Sequence, residues 1–303
     1  MKFLVTGASS FSGSYFVREI LNQGHEVFAL NINRNQSNEL RRSRLLELAE
    51  ASPKFNALNL DELNALKGEI FDFLLLHGSY MEGRRGDSFD IEKAIEETTN
   101  VSKLIQNKTN FNYIIHTGTF SEPNESIFDN PKSFNAYSTS KSLIYEAHKS
   151  IFRNLPVHKY VMPNPFGNKQ NNNIFSAAYT EWKLGNHFFL KNPWVVRDFV
   201  PVDLLAKDYY EFITIIHDTT KDSLKTRHPS LYVESLASML ERFAFELKLQ
   251  SNLECEIVKN QIVSSNSGEP RIRINFDFID YKKFNWNQQA WWHRFIQSIL
   301  TTC

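Results

Sequence analysis

Cysteine is nearly absent: Cys255 and Cys303 are the only two in 303 residues. So few, so badly spaced, exclude a disulfide framework or a thiolate metal cluster, and fit a reducing compartment. Charge of one sign is lacking too, since 34 Lys and Arg balance 34 Asp and Glu. No polybasic run points to nucleic acid or to an anionic membrane surface. Long hydrophobic runs are missing; the longest, Phe73–Leu76 with its flanks, is far too short to cross a bilayer. Met1–Ser10 enters a strand and turn directly, without the apolar stretch of a signal peptide. Apart from Asn171–Asn173 there is no low-complexity tract, and no internal repeat. These absences leave a small molecule as the expected partner. They predict a cytoplasmic protein with no metal, no nucleic acid and no membrane insertion.

What is present alternates. Lys2–Thr6 is an apolar run ending at Gly7, Phe11, Tyr15, Phe16, Ile20 and Leu21 recur at helical spacing up to Gly24, and Val27–Leu30 is apolar again. That is a βαβ unit. Further strands are expected around Phe55–Leu58, Phe71–Leu76, Tyr113–Ile115 and Val157–Val161. Helices are expected from about Ser37, Asp61 and Ser88, and over Asn135–Phe152. The fold class is therefore α/β, a Rossmann-like doubly wound parallel sheet with a smaller C-terminal lobe. The boundary is placed at 165, giving 1–165 and 166–303, with a crossing between lobes expected around 195–230. Later segments read as helical, among them Val233–Leu249 and Gln288–Leu300, where Trp291, Trp292, Phe295 and Ile299 are assigned to the core.

Thr6-Gly7-Ala8-Ser9-Ser10-Phe11-Ser12-Gly13 lies between the first strand and first helix, where exposed N–H groups and the helix dipole favour a pyrophosphate. The segment resembles the TGxxGxxG turn of short-chain dehydrogenases, with Ser10 where the middle glycine stands. At the end of the second strand, Asn31-Ile32-Asn33-Arg34 offers no carboxylate for ribose hydroxyls, and Arg34, with Arg41 or Arg42, suits a 2′-phosphate. NADP(H) is therefore expected ahead of NAD(H).

Tyr137-Ser138-Thr139-Ser140-Lys141 opens a helix soon after the fifth strand and resembles the family's YxxxK. A phenol of pKa about 10 becomes a proton relay when a lysine one turn on favours its phenolate. The resemblance makes Tyr137 and Lys141 catalytic, with Lys141 also holding the nicotinamide ribose. It makes Thr117 the hydroxyl that polarises the reacting oxygen, with Thr119 in reserve as a substrate contact. His116 is read as structural. Gly78 and Ser79 match the stretch that lines the cofactor, and Asn100 the structural asparagine of the preceding helix.

Asn164-Pro165-Phe166-Gly167 resembles the NxxG stretch of nucleotide-sugar enzymes, and Arg197-Asp198-Phe199-Val200-Pro201-Val202-Asp203 their RDFVxVD segment. With the turn and the YxxxK, these identify the chain as similar to the extended short-chain dehydrogenases of the NAD-dependent epimerase/dehydratase family. The resemblance implies Asn164 and Arg197 as contacts to a nucleotide-diphosphate sugar, a planar arginine fork suiting a diphosphate. Asp203 is expected to cap a helix. A 4,6-dehydratase would carry Asp-Glu after its threonine, where Gly118 and Thr119 stand, and a fucose-synthase-like enzyme would need a cysteine elsewhere. A 4-ketoreductase or a 4-epimerase, acting as a homodimer, is what the resemblance implies; a non-catalytic dinucleotide-binding sensor or assembly protein is the alternative.

Overall fold

The computed structural model describes residues 1–31, 39–80, 88–126, 135–170, 173–219, 223–259 and 270–302. In chain order the first elements are β1 (Lys2–Thr6), α1 (Phe11–Asn22), β2 (Glu26–Asn31), α2 (Glu39–Ala51), β3 (Phe55–Asn59), β4 (Ile70–Leu76), α3 (Ile91–Lys108), β5 (Asn110–Thr119), α4 (Ala136–Ile151) and β6 (Val157–Met162). Then come β7 (Asn164–Phe166), α5 (Ile174–Lys183), β8 (Phe188–Leu190), β9 (Val196–Pro201), α6 (Val202–His217), β10 (Thr226–Arg227), β11 (Pro229–Ser230) and β12 (Tyr232–Ser235). The last are α7 (Leu236–Lys248), β13 (Ile257–Lys259), β14 (Ile272–Arg273), β15 (Asp277–Phe278) and α8 (Gln288–Thr302).

Two compact units result, the first made of Met1–Met162 with Leu205–His228, the second of Pro163–Leu204 with Pro229–Cys303. The chain crosses back to the first unit over Leu205–His228. Most of α6 belongs with the first unit because Asp208 accepts a hydrogen bond from the Tyr160 hydroxyl (2.8 Å) and pairs with Arg227 (2.5 Å) on β10.

The first unit is a sheet of seven strands in the order β10-β6-β5-β4-β1-β2-β3. Every pairing in it is parallel. Both faces are covered, so its central strands are apolar throughout rather than alternating: Phe3, Leu4, Phe73, Leu74, Ile114 and Ile115 are all fully buried. α1 begins where the Ser10 hydroxyl accepts a bond from Gly13 N–H (3.0 Å) and lays Phe16, Val17, Ile20 and Leu21 on the sheet. The opposite face packs Leu4, Leu74, Ile114 and Val157 with Ile105 of α3 and Phe152 after α4.

Three local expectations change. The segment from Asp61 forms a 3-10 turn, Asp61–Leu66, rather than a full helix, since it needs only to bury Leu63 and Leu66 between two strands. β5 runs well past Tyr113–Ile115 because β4 and β6 supply ladder partners as far as Thr119. Val233–Ser235 is strand, paired antiparallel to β9, and the Ser235 hydroxyl caps α7, so that helix starts at Leu236.

The second unit packs β7, β9, β12 and β14 into one small sheet. Its core gathers Phe166, Phe175 and Phe243 with Trp291, Trp292 and Phe295 of α8, all buried. Phe166 meets Trp291 edge-on at 5.0 Å. Among the described residues no helix is long and apolar enough to cross a membrane, and no His, Cys, Asp or Glu group could hold a metal ion.

Two glycines with left-handed backbones separate strain from crowding. Gly7 has φ 77° and a Cβ there would stand 2.6 Å from Gly78 N, whereas Gly24, φ 82°, has open space. Gly24→Ala should cost about 1 kcal/mol, the backbone penalty alone. Gly7→Ala should cost about 3 kcal/mol or more. Equilibrium denaturation of the two variants checks the difference.

Candidate active site

Strand order reverses between β1 and β4, so the crevice for a ligand opens at their C-terminal ends. There the Gly7 and Gly78 backbones lie against each other, and Gly13 is packed so tightly that a Cβ would collide with Gly7 O. Gly78 N–H donates to the Thr6 hydroxyl (3.0 Å), fastening the two strand ends. Ser10 spends its oxygen as the helix cap rather than leaving a gap where a glycine would be. The Ser12 hydroxyl is bonded to His77 Nε2 (3.0 Å). Ser9 O accepts from Arg44 (3.2 Å), whose guanidinium lies over the Phe11 ring (6.0 Å) and is buried. Burial lowers the Arg44 pKa from its ordinary value. Asn31 closes β2 and Ser79 follows Gly78, both half-buried; Arg34 lies outside the described residues. Arg44 is a basic residue that the fold brings to the turn.

α4 begins where the Asn135 side chain accepts from Ser138 N–H and its hydroxyl, each at 2.8 Å. That cap sets Tyr137 in the first turn, half-buried, with its ring edge-on to Phe89 at 5.8 Å. Lys141, one turn on, is buried and makes no hydrogen bond or ion pair among the described residues. Burial lowers its ammonium to about 8, against the opposing pull of Glu122.

The structure does not bring Thr117 to that side. Side chains alternate along a strand, and Thr117 shares its register position with Tyr160, whose ring faces Phe16 and Tyr209 on the α1 and α6 side. Its buried hydroxyl lies beside the Tyr209 hydroxyl, without forming a hydrogen bond of ordinary geometry. His116 instead faces α4, its Nδ1 3.0 Å from His148 Nδ1. Thr119, the last residue of β5, pairs its hydroxyl with Ser121 (3.1 Å). Asn100 is exposed on α3, because the buried stripe of that helix is Ala94, Thr98, Thr99, Ser102 and Ile105.

Beneath Gly118 lies a charge cluster that the sequence reading missed. Lys159 pairs at 2.6 Å with both Glu122 and Glu125, and Glu125 with His228 at 2.8 Å. Although burial works against it, the two carboxylates hold the Lys159 ammonium above its ordinary pKa. Burial likewise opposes the Glu125 carboxylate, but His228 and Lys159 keep its pKa below the usual range. A Cβ on Gly118 would meet Lys159 Cε at 2.6 Å and Glu122 Oε1 at 2.7 Å. The signal was available: Val157-His158-Lys159-Tyr160-Val161 puts a histidine and a lysine inside an otherwise apolar central strand.

In the second unit Arg197 is buried, and its fork donates to the carbonyls of Val196 (2.7 Å), Pro270 (3.1 Å) and Arg271 (3.4 Å). Arg273 of β14 is its register partner and is fully buried, so the two arginines sit at neighbouring positions on one face of the sheet. Asn164 on β7 is half-buried, and its buried Nδ2 has no partner among the described residues. Asp203 accepts from Leu204 N–H (2.9 Å) and from the Trp286 indole (3.3 Å), so it ties the start of α6 to the C-terminal segment. Asp198 is fully buried, taking Asn275 N–H at 3.1 Å, and burial pushes its carboxyl up to about 7.

Sheet order, glycine turn and the YxxxK helix define a doubly wound protein of the dinucleotide-binding Rossmann class. The profile of the NAD dependent epimerase/dehydratase family matches residues 3–228, and the chain belongs to that family. Among solved structures it is similar to the UDP-glucuronic acid 4-epimerase of Bacillus cereus in complex with UDP-glucuronic acid and NAD, at 16% identity and TM-score 0.70 over 100% of both chains. The Bordetella bronchiseptica enzyme WbmH in complex with NAD+ matches at 14% identity and TM-score 0.66, over 99% of this chain and 98% of that one. The UDP-glucose 4-epimerase of Thermotoga maritima, with UDP-glucose, matches at 13% and 0.68, over 100% and 99%. No curated protein sequence matches the chain.

Lys159→Met should leave the fully buried Glu122 carboxylate without its counter-charge and cost about 3–5 kcal/mol, read by denaturant unfolding. For Asp198, the folded state keeps the proton up to about pH 7 while the unfolded chain releases it near about 4. The folded state then binds more protons in that window, so this group's contribution to stability declines as pH rises through it. Asp198→Asn should flatten that decline in unfolding free energies measured from pH 4 to 8.

Proposed function

We propose that the protein is a 4-epimerase of nucleotide-diphosphate sugars that keeps NAD(H) bound, with a 4-ketoreductase as its nearest alternative. The observation that carries this reading is Tyr137 one turn from Lys141, a buried ammonium with no hydrogen-bond partner among the described residues. The glycine turn fits a dinucleotide pyrophosphate, because Gly7, Gly13 and Gly78 leave no room for a Cβ between the strand ends and Ser9, Ser10, Phe11 and Ser12 open a helix N-terminus. Asn31 and Arg44 flank the adenosine side, where Arg34 is also expected. Tyr137 and Lys141 hold the nicotinamide ribose. The 4-epimerases similar to this chain were solved with NAD or a UDP-sugar, which supports NAD(H) over the NADP(H) expected from Arg34.

The dinucleotide supplies one piece of chemistry when bound: it takes a hydride from the sugar carbon and returns it. Tyr137 takes the hydroxyl proton of that carbon as the hydride leaves, and gives it back to the ketone oxygen as the hydride returns to the opposite face of the ring. Lys141 favours the phenolate by its charge. A second hydroxyl at the reacting oxygen comes, on this reading, from Thr119 with Ser121 rather than from Thr117, which faces α6. Arg197 and Arg273 take the diphosphate, their paired positive charge suiting a dianion, and Asn164 offers an amide N–H to the substrate. A homodimer joined through α3 and α4 belongs to the same proposal.

Purified protein incubated with UDP-, dTDP- and GDP-sugars should invert the C4 hydroxyl of one class, seen by proton NMR, with no net change in nicotinamide absorbance. Tyr137→Phe should lower the rate about 10²–10⁴-fold, and Thr117→Val by no more than a few-fold. Net consumption of NADPH would move the assignment to the ketoreductase. Cofactor binding without any turnover would establish the non-catalytic alternative.

A further inference from the structure

Lys141 and His148 lie two turns apart on the buried stripe of α4, and Ser102 of α3 and His116 of β5 pack against that stripe. The Ser102 hydroxyl donates to Thr98 O (3.0 Å), so its single proton is spent there and its oxygen must accept from His148 Nε2 (2.9 Å). His148 then carries its proton on Nε2 and presents a lone pair at Nδ1. The contact from that atom to His116 Nδ1 (3.0 Å) makes His116 the donor. His116 is left with a lone pair on Nε2, in an atom that is buried and without a hydrogen-bond partner among the described residues. On an imidazole ring Nε2 faces away from the Nδ1 contact, hence away from His148.

We propose that His116 is a positioning residue for Lys141: the locked chain from Thr98 through Ser102 and His148 keeps His116 Nε2 a permanent acceptor, to which the Lys141 ammonium donates through one buried water. This rests on the reading of Lys141 as the residue that serves Tyr137.

The surroundings favour a neutral acceptor. His116 is packed by Tyr145 and His148 of α4, with ring centroids 5.2 and 5.1 Å away. Burial and then the charge of Lys141 hold His116 well below its ordinary pKa; His148, Lys159 and His77 add to the same effect. His148 and His77 are each lowered to about 3 by burial and by Lys141, so all three rings are uncharged at neutral pH. The chain ends on a backbone carbonyl, which has no proton to pass on. It therefore orients Lys141 and supports its charged form, and does not conduct protons away.

The test uses the full chain without substrate. Long-range proton–nitrogen NMR of histidine-labelled protein at pH 7.5 should find the proton on Nδ1 of His116 and on Nε2 of His148. Carbon-13 titration of Lys141, assigned with Lys141→Met, should move toward the neutral amine in His116→Leu, by about tenfold in the protonation equilibrium. His116→Gln, whose amide oxygen also accepts, should restore the equilibrium to within about threefold of the parent protein. A proton on Nε2 of His116 in the parent protein, or a Lys141 titration unchanged by His116→Leu, overturns the proposal. If His116→Leu does not fold, the tautomers of the unsubstituted protein still decide it. Neither readout depends on turnover: failure of Tyr137→Phe to lower activity would refute the catalytic assignment and leave these signals where they are.

Discussion

Everything at the cofactor end of the first unit depends on two backbones touching. Gly7 and Gly78 close β1 and β4 at an approach that a single Cβ would block, at 2.6 Å from one side and 2.8 Å from the other. Because these strands flank the reversal of sheet order, their contact sets where α1 starts. Ser10 caps that helix, Gly13 lets it sit on the turn, and the first N–H groups are directed outward from the sheet. The cost is conformational, since Gly7 holds φ at 77°. An anion at the helix N-terminus is the natural compensation for so confined a turn.

The other recurring theme is polar chemistry in a dry interior. Lys141 and Lys159 are buried on the same side of the sheet and are treated in opposite ways. Lys159 keeps its charge because two carboxylates meet it at 2.6 Å, the arrangement that makes a buried ammonium tolerable. Lys141 has no carboxylate in contact, and shares the buried stripe of α4 with His148. A lysine whose ammonium is lowered to about 8 holds its proton less firmly than a surface lysine, which suits a residue beside a phenol that must give and take a proton. In the second unit, burial raises the enclosed Asp198 carboxyl to about 7.

Much of this was legible in order along the chain. Local periodicity located β1 to β6, α1, α4 and α8, because a strand buried on both faces is an unbroken apolar run and a helix buries one stripe. The motifs carried the family, since each combines a backbone requirement with a side-chain requirement at a fixed spacing. Thr117 was misplaced for a definite reason: a one-residue step along a strand reverses the face a side chain occupies, and the run His116-Thr117-Gly118-Thr119 does not show which member faces α4. Asn100 is exposed on α3, outside the buried stripe of that helix.

The sequence by itself determined the class of fold, the glycine turn, the YxxxK helix and the family, because these reside in residues close together in the chain. Tertiary structure alone decided that Arg44 reaches the turn, that Arg273 stands beside Arg197, that Lys159 closes on Glu122 and Glu125, and that His116, His148 and Ser102 join into one chain. These groups are separated by tens of residues, and only strand order, register and helix packing bring them together. Even at the turn on which the family resemblance rests, sequence supplied Gly7 and Gly13, while the sheet supplied Gly78 as the third surface that makes glycine obligatory.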